Sequence, residues 1–433
     1  MKRLSAWAAI LILLAGLAGA APPPSAQDLA AHAAALEKNL IANILAFWHP
    51  RCLDREHGGY IINFGPQGES KGPGTKGIVT QARTLWFFAR MARAGYGGRE
   101  AMLAAAETGY RFLRDKMWDA AHGGFYWEVE PTGAKPLRPG KHLYGQAFGL
   151  YALSEYALAS GREDVLEFAT RFFGLLDEKA HDPLHGGYIE FFGADWSEPP
   201  PGAAPYAGGV TGQKLLNTHL HLMEAISAYL RASGSQTARI RLTELAAIGG
   251  NAVVRKGPIA CTDRYQRDWT PLLDGEWSRV SYGHDLENIW LLIEASETLG
   301  ISPSPYTELF RHIFAYSLEH GFDSKDGGFF ESGPLGAPAG RKTKIWWVQA
   351  EALVGALAMY KLTRDPRYYA VFEQTWRFVN QRQTDWEHGE WHANLTPEGE
   401  PRGDKANLWK GPYHNGRAMI ECIAHLRALE AER

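Results

Sequence analysis

The chain has 433 residues, of which 45% are hydrophobic and 21% charged, so it can bury a normal globular core. Its formal net charge of −3 gives no indication of a nucleic-acid partner, and none is expected. Its 3 cysteines are an odd number, which excludes a complete set of intramolecular disulfides.

The N-terminus is typical of a secretory signal. Lys2 and Arg3 precede an apolar run over residues 4–17, and a small-residue cleavage sequence, AGA, follows. The run is too short to span a bilayer comfortably. We expect residues 1–20 to be a signal peptide and residues 21–26 a spacer. The mature protein would then be periplasmic or secreted, without a membrane anchor.

One short phrase recurs along the rest of the chain. It reads HGGYIINF, HGGFYWEV, HGGYIEFF, DGGFFESG and, more weakly, HGEWHANL, starting at His57, His122, His185, Asp326 and His388. The spacings are 65, 63, 141 and 62 residues, and the third is about twice the others. A sixth copy is therefore expected between residues 255 and 275, and residues 263–269 followed by 274–277 are the best candidates. A fixed period indicates a repeat architecture.

Each phrase lies between two helical patterns, which gives two helices per unit and six units. The first helices are predicted to end near Trp48, Trp118, Ala180, Val254, His320 and Gln381. The second helices are predicted to begin near Gly77, His142, Lys214, Gly283, Lys344 and Gly411. Each phrase itself predicts a glycine turn followed by a short strand.

This pattern predicts an all-α fold, an (α/α)6 barrel in which residues 27–433 form a single domain. The second helix of each pair would line the inside, and the short β-hairpins would all lie at one mouth. An open superhelix of helical hairpins is the alternative. Closure is favoured because the terminal units show no polar capping repeats.

The first turns of the six inner helices carry polar or aromatic residues in a common phase. The principal ones are separated by 61, 73, 67, 63 and 67 residues and are Arg83, Tyr144, Asn217, His284, Trp347 and His414. Equal spacing in a closed barrel means equal height, so these side chains should surround one cavity. Residues three or four positions further on share their helix faces, and these are His221, Glu287, Glu351 and Arg417, with Trp290 one turn beyond Glu287.

No metal or cofactor is expected at this ring. His219 and His221 are two residues apart and diverge by about 200° on a helix, so they cannot chelate one ion together. The chain also contains no HExxH motif and no cysteine cluster.

Other polar residues have simpler interpretations. The histidines that begin three of the phrases, His57, His122 and His185, are expected to cap the hairpin turns. Glu387, Glu390 and Glu398 are expected to be solvated loop charges. Cys422 lies on an apolar helix face and should be a buried thiol, whereas a bond between Cys52 and Cys261 stays open.

Histidines on opposite sides of a cavity suit proton transfer at carbon. The C2 proton of a sugar becomes acidic when C1 is an aldehyde, so one histidine can remove it and another can return a proton on the other face. Arg83 and Asn217 could stabilise the enediolate formed in between. A glycoside hydrolase would need two carboxylates beside the bond, and Glu287 and Glu351 each have a simpler role orienting a neighbour.

Four motifs resemble the cellobiose 2-epimerases, which belong to the N-acylglucosamine 2-epimerase superfamily and have an (α/α)6 barrel. They are NTHLHLMEA, YGHDLENIW, WWVQAE and WKGPYHNGRA, which start at Asn217, Tyr282, Trp346 and Trp409. The resemblance covers nearly the whole chain after the signal. It implies a cofactor-independent isomerase that acts on a small sugar.

The resemblance also implies roles for individual residues. His284 and His414 would be the acid/base pair at C2, with Glu287 supporting His284 and His221 assisting ring opening. Arg83, Tyr144 and Asn217 would bind the reacting sugar. The residues that shape or line the subsites would be Trp290, Trp347, Glu351 and Trp409.

Export would bring the protein to oligosaccharides, which favours a β-1,4-linked disaccharide, cellobiose or mannobiose. Three alternatives stay open. The first is an aldose–ketose isomerase on free mannose or a related sugar, which would use the same enediolate. The others are a glycoside hydrolase or lyase on the same barrel, and a non-catalytic toroid that binds a sugar or a protein.

Overall fold

The computed structural model describes residues 22–433, so the predicted signal peptide lies outside the described residues. Twelve α-helices are numbered here in chain order. They are α1 Ala26–Lys38, α2 Ile78–Ala94, α3 Arg99–Phe112, α4 Leu143–Ser160, α5 Glu163–Ala180, α6 Leu216–Ser233, α7 Gln236–Ala247, α8 Tyr282–Leu299, α9 Thr307–Gly321, α10 Trp346–Thr363, α11 Pro366–Phe378 and α12 Tyr413–Ala431. Among residues 22–433, no helix is long and apolar enough to cross a membrane.

Several odd-numbered helices continue as π-helix. These extensions are Asn39–Leu45 after α1, Leu113–Met117 after α3, Ile248–Ala252 after α7 and Val379–Gln383 after α11. A short turn, Ala46–Trp48, completes the first of them, and 3-10 turns at Gly275–Ser278 and Ser304–Tyr306 precede α8 and α9.

The even-numbered helices form the inner ring and the odd-numbered ones surround it. Consecutive inner helices pack against one another, and α12 packs against both α1 and α2, so the ring is closed. The predicted (α/α)6 barrel is confirmed. The open superhelix is excluded because the last unit contacts the first.

Inner helices end where the sequence permits a left-handed residue. Glycines with φ between 67° and 82° follow α2, α4, α6 and α8, and they are Gly95, Gly161, Gly234 and Gly300. Glycine adopts this conformation without the steric cost that a Cβ atom brings, so it stops each helix and turns the chain toward the next outer helix.

Short strands join each unit to the next at one mouth of the barrel. In chain order they are β1 Lys76–Gly77, β2 Glu128–Val129, β3 Pro136–Arg138, β4 Lys141–His142, β5 Phe191–Phe192, β6 Gln213–Leu215, β7 Arg264–Gln266, β8 Arg279–Ser281, β9 Ser332–Pro334, β10 Lys344–Ile345, β11 Asn394–Leu395 and β12 Pro401–Arg402. Strands β1, β4, β6, β8 and β10 each precede an inner helix, and each pairs antiparallel with a strand of the next unit's hairpin. An antiparallel bridge between Phe64 and Ala406 makes the sixth junction and closes the ring of hairpins.

The hairpin turns are capped by aspartates, not by the histidines that were expected to cap them. Asp54 Oδ1 accepts hydrogen bonds from the backbone N–H groups of Glu56 and His57. The aspartates that cap the turns containing His122 and His185 are Asp119 and Asp182. A carboxylate accepts two amides at once, which a histidine ring cannot do.

Each capping aspartate also binds a buried lysine. The Nζ–Oδ2 distances lie between 2.6 and 2.9 Å in the pairs Lys76–Asp54, Lys141–Asp119, Lys214–Asp182, Lys344–Asp323 and Lys405–Asp385. Because an unpaired buried charge is costly, the two residues of a pair are expected to be kept or lost together. Four of these lysines lie two residues before an inner helix, so the pair joins the hairpin to the helix start.

The fourth unit has lost this pair, which explains why its hairpin was placed wrongly from the sequence. The other five hairpins begin and end with an antiparallel bridge between residues seven apart, such as Leu53 and Tyr60, and the fourth bridge joins Val254 and Cys261. The sixth copy is therefore the segment 254–261 and not 263–269. Arg255 stands where the aspartate would be and Val280 where the lysine would be.

A polar side chain near the start of most inner helices holds the hairpin by its backbone. Gln81 accepts the Tyr60 N–H at 2.9 Å and donates to the Tyr60 carbonyl at 2.8 Å, and Gln146 and Gln349 make the same two bonds. The second glycine of the phrase makes room for this contact, since a Cβ atom at Gly59 would lie 2.7 Å from Gln81 Oε1. The Gly-Gly phrase recurs because the helix side chain occupies that space.

One loop glutamate and all three cysteines are buried. Glu390 is fully buried, and it accepts hydrogen bonds from Trp48, Lys410 and Asn415, so its assignment as a solvated charge was wrong. Cys422 is a buried free thiol, as predicted, and Cys52 and Cys261 are buried and unbonded. Through these hydrogen bonds Glu390 links the sixth hairpin to the start of α12.

Ion pairs join neighbouring inner helices at the end of the barrel opposite the hairpins. They surround a cavity of about 530 Å³, and they are Arg90–Glu421, Arg93–Glu155, Arg231–Glu294 and Lys361–Glu297. Each pair joins two different helices. The charges at this end are therefore explained by closure of the barrel.

His219 offers a test of the hairpin contact. In the third unit it stands in the place of the glutamine, and its Nε2 accepts the Tyr188 N–H of the hairpin at 2.9 Å. Its Nδ1 donates to the Leu215 carbonyl at 2.7 Å, which leaves Nε2 as the acceptor. Burial lowers the pKa of His219 to about 3. The neutral ring therefore contributes stability that is present above the unfolded pKa of about 6.5 and is lost as the pH falls toward 3.

We predict that His219→Gln folds normally and loses less stability in acid than the wild type. Between pH 6.5 and 4.5, the free energy of unfolding of this variant should fall by about 2 kcal/mol less than that of the wild type, because the titrating ring is gone. Urea unfolding at both pH values measures the difference. His219→Ala is the control and should be less stable at both. An unchanged pH dependence in His219→Gln would contradict the role given to the neutral ring.

Candidate active site

A cavity of about 280 Å³ opens at the mouth that carries the hairpins. Nine of the eleven predicted site residues line it, together with Trp346: they are Arg83, Tyr144, Asn217, His221, His284, Glu287, Trp347, Trp409 and His414. The other two, Trp290 and Glu351, are buried and do not line it. The common phase of the inner helices thus brings the predicted ring together.

His414 is held by a buried carboxylate. Its Nδ1 lies 2.6 Å from Glu351 Oε1, and Glu351 Oε2 accepts the Trp290 indole N–H at 3.0 Å. When Nδ1 donates to the carboxylate, Nε2 is left with a free lone pair. Glu351 and Trp290 lie beneath the cavity, where the Glu351 carboxylate can orient His414.

His221 is held in the same way by a carboxylate on its own helix. Its Nδ1 lies 3.1 Å from Glu224 Oε2, three residues further along α6. Burial lowers the pKa of His221 to about 4, although Glu224 opposes this shift. His221 is therefore a neutral ring near neutral pH.

His284 has different surroundings. It is half-buried, its ring packs on Trp347 with centroids 4.9 Å apart, and its backbone N–H donates to Ser281 Oγ. Burial lowers its pKa, while the negative charges of Asp263 and Glu351 oppose the shift. Within the described residues no hydrogen bond joins His284 to Glu287, so the support expected from Glu287 is not seen.

Arg417 binds the carboxylates beneath the cavity. Its guanidinium donates to Glu351 at 2.7 Å and to Glu287 at 3.1 Å, and it also binds Glu224 and the Tyr413 hydroxyl. Burial would raise the pKa of Glu224, but Arg417 and the other donors outweigh it and lower the pKa to about 2. Burial and the nearby Glu351 instead raise the pKa of Glu287 well above its usual value.

Four buried polar atoms of the cavity lining have no hydrogen-bond partner within residues 22–433: Arg83 Nε, Asn217 Oδ1, Glu287 Oε2 and Trp346 Nε1. Such atoms are costly unless a ligand or solvent satisfies them. Two are donors, one is an acceptor, and the Glu287 oxygen can be either. A mixture of donors and acceptors suits a hydroxyl-rich ligand.

Aromatic rings form the rim of the cavity. Trp409 is 46% exposed, and its ring centroid lies 6.0 Å from that of Trp127 and 6.2 Å from that of Tyr144. Arg83 joins this rim to the interior, because it donates to the Trp409 carbonyl at 3.2 Å and to the Tyr144 hydroxyl at 2.8 Å. The exposed face of Trp409 can stack on a sugar ring.

Sequence reasoning assigned no role to four residues of the site, Trp346, Glu224, Tyr413 and Arg417, although it placed Arg417 on the same helix face as His414. The spacing held a usable signal for two of them, since Glu224 follows His221 by three residues and Arg417 follows His414 by three. It could not show that both converge with Glu351. That convergence joins three helices that are far apart in the sequence.

One cluster in the described residues has the donors of a metal site. Donor atoms of Glu287, Glu351 and His414 lie within 4.8 Å of one another. Arg417 already places a fixed positive charge against both carboxylates. The cluster therefore has its own cation, and metal binding would require Arg417 to move.

Comparison with known proteins agrees with this geometry. The model of the N-acylglucosamine 2-epimerase (GlcNAc 2-epimerase) family matches residues 59–418. The chain belongs to this family. It is therefore a carbohydrate epimerase, and the resemblance seen in the four motifs is confirmed.

Individual relatives extend the match over nearly the whole length. The cellobiose 2-epimerase of Bacteroides fragilis is 31% identical over 392 residues, which cover 90% of this chain and 97% of the relative. The structure of cellobiose 2-epimerase from Spirochaeta thermophila superposes with a TM-score of 0.83 at 34% identity, covering 93% of this chain and 98% of that one. A more distant relative is the D-mannose isomerase of Marinomonas mediterranea, 25% identical over 89% of this chain and 96% of its own.

We predict that chelators do not reduce sugar 2-epimerase activity. Arg417 supplies the positive charge that a metal would otherwise bring to Glu287 and Glu351, so no ion should be needed. Initial rates with and without EDTA, and with added Mn²⁺, would be compared. Loss of activity in EDTA that a divalent ion restores would contradict this.

Proposed function

We propose that this sugar 2-epimerase interconverts the C2 configuration of the reducing-end residue of a β-1,4-linked disaccharide. Cellobiose would give glucosyl-mannose, and mannobiose would give mannosyl-glucose. The observation that carries the proposal is that His284 and His414, from two different inner helices, both line one cavity with polar groups suited to a sugar.

Two histidines suit the two proton transfers of the reaction. Burial lowers the pKa of both His284 and His414 below 6.5, so at neutral pH either ring can be present as the neutral base. His414 is the more strongly shifted, because Arg83 and Arg417 add to the effect of burial. In our proposal one ring removes the C2 proton and the other, protonated, delivers one to the opposite face.

The enediolate between these steps carries negative charge. Arg83 and Asn217 both line the cavity, Asn217 beside His221, so both can reach an oxygen of the reacting sugar. Fixed donors in a buried site stabilise developing charge more strongly than water does. We assign ring opening to His221, whose free Nε2 can take or return the hydroxyl proton at C1.

The rim supports a disaccharide over a single sugar. The exposed Trp409 ring lies above Arg83 and Tyr144, where it can stack on the residue that precedes the reacting sugar. A glycoside hydrolase is disfavoured because Glu351 lies beneath the cavity and is bound by Arg417 and Trp290. Aldose–ketose isomerisation on a mannose-like sugar is the second candidate, since a D-mannose isomerase is among the relatives.

The decisive experiment is incubation of the mature protein with cellobiose in D2O, followed by NMR. A 2-epimer that carries deuterium at C2 is the expected product. A ketose would instead favour the isomerase, monosaccharides would favour a hydrolase, and an unchanged substrate would favour a sugar-binding toroid.

We predict that His284→Asn and His414→Asn each reduce epimerisation by at least ~10²–10⁴-fold, the usual effect of losing a general acid–base. Slow exchange of the C2 proton with D2O should persist in each variant, because the remaining histidine still acts on its own face. Near wild-type epimerisation in either variant would contradict the two-base assignment.

Trp409→Ala is the matched control for these variants. It removes a stacking surface and leaves the proton-transfer groups in place, so it should raise KM more than it lowers kcat. The comparison separates loss of chemistry from loss of sugar binding.

We also propose that the enzyme is exported. The basic start, the apolar run over residues 4–17 and the AGA sequence support a signal peptide. We expect N-terminal sequencing of protein recovered from a Gram-negative host to find a start near Ala21 in the periplasm or medium. Recovery of protein that still begins at Met1, from the cytoplasm alone, would contradict export.

A further inference from the structure

Arg417 is the most highly connected charged residue beneath the cavity. It is 1% exposed and binds carboxylates from three other inner helices: Glu224 of α6, Glu287 of α8 and Glu351 of α10. Its guanidinium also lies over the rings of Trp290, at 4.7 Å, and Tyr413, at 4.4 Å. Packing and hydrogen bonds therefore hold it in one position.

Two of these carboxylates each hold a histidine of the cavity. Glu224 lies against His221 Nδ1, and Glu351 lies against His414 Nδ1. Arg417 binds both carboxylates: it shares Glu351 Oε1 with His414, and it binds the Glu224 oxygen that does not face His221. Arg417 is the element shared by two bases on different helices.

We propose that Arg417 is a positioning residue of the epimerase site. By binding Glu224 and Glu351 together, it holds His221 and His414 with Nδ1 protonated and Nε2 free to accept a proton from the sugar. The proposal rests on the proposed function only for the identity of the groups on which the two bases act.

The fork of an arginine suits this task better than a lysine. Three carboxylates and a tyrosine hydroxyl converge on the guanidinium, which also lies over two aromatic rings. A lysine ammonium is a single point charge and cannot span the separate carboxylates with directed bonds. Arg417→Lys thus separates the charge of Arg417 from its geometry.

The charges around His414 give the direction of the expected pH effect. Arg417 is one of the groups that lower the pKa of His414, so its removal should raise that pKa. The other titratable or charged groups that face this region belong to five inner helices and one loop: Arg83, His221, Glu224, Asp263, His284, Glu287, Glu351 and Tyr413.

The test compares Arg417→Met and Arg417→Lys with the wild type. Both variants should lose at least about 10²-fold in kcat, because a small displacement of a catalytic group has that effect, while KM changes less. In Arg417→Met the acidic limb of kcat/KM should also move up by ~1 pH unit. In Arg417→Lys, which keeps the charge, the limb should stay near its wild-type position.

Arg90→Met is the matched control. Arg90 is also an arginine of the barrel interior, paired with Glu421, but it lies at the opposite end beside the larger cavity. This variant should keep kcat within a few-fold and leave the pH limb unmoved. A shift of the limb in Arg90→Met equal to that in Arg417→Met would overturn the proposal, since any buried arginine would then have the effect.

A measurement without substrate separates this proposal from the proposed function. In protein labelled with ¹⁵N-histidine, His221 and His414 should show the tautomer with Nδ1 protonated. Arg417→Met should change the tautomer or protonation of both rings at neutral pH, and His219 should be unaffected. Unchanged signals for His221 and His414 would overturn the proposal.

The possible outcomes remain distinct. If the NMR signals respond but His414→Asn retains epimerisation, the proposed function fails and the positioning role stands. If Arg417→Met does not fold, the double variant Arg417→Met/Glu224→Gln removes one of the carboxylate charges left without a partner, and the same ¹⁵N measurement on His414 applies. Arg417→Lys with wild-type kcat would overturn the proposal.

Discussion

The polar contacts between each hairpin and the start of an inner helix are the constraint on which the rest of this structure depends. A glutamine such as Gln81 satisfies both backbone groups of Tyr60, and a buried Lys–Asp pair fixes the same junction from the other side. Because these contacts recur around the ring, they set the height at which the inner helices begin. The cavity exists because side chains near the starts of those helices then face one another.

This arrangement also explains which changes the repeat tolerates. In the fourth unit, Arg255 stands at the position of the aspartate and Val280 at that of the lysine. Asp285 still binds the hairpin, because it accepts the Cys261 N–H at 2.8 Å. Loss of one member alone would leave a buried charge without a partner. The unit that differs most in sequence therefore keeps the same backbone path, and it carries His284 into the cavity.

The buried glutamates beneath the cavity have pKa values shifted in opposite directions. Arg417 keeps Glu224 ionised against the penalty of burial, whereas burial and the neighbouring Glu351 raise the pKa of Glu287. Glu287 lines the cavity, and its buried Oε2 has no hydrogen-bond partner among residues 22–433. One buried guanidinium among three carboxylates thus leaves a carboxyl that can hold a proton beside the cavity.

The sequence by itself determined the class of fold and most of the site. The Gly-Gly phrase and the helical periodicity predicted six helical hairpins, and the common phase of Arg83, Tyr144, Asn217 and His414 predicted residues that line one cavity. These inferences succeeded because a repeat encodes local contacts, and local contacts determine the phase of each helix. Where the local signal was lost, at segment 254–261, the sequence-based assignment failed.

Tertiary structure alone decided which groups bind one another beneath the cavity. Nothing in the spacing could place Arg417 against Glu224, nearly two hundred residues earlier, or show that Glu351 serves His414 and that Glu390 is buried. The physical reason is that burial and ion pairing depend on which helices meet when the ring closes. A glutamate reads the same in the sequence whether its carboxylate is exposed to water or bound by an arginine.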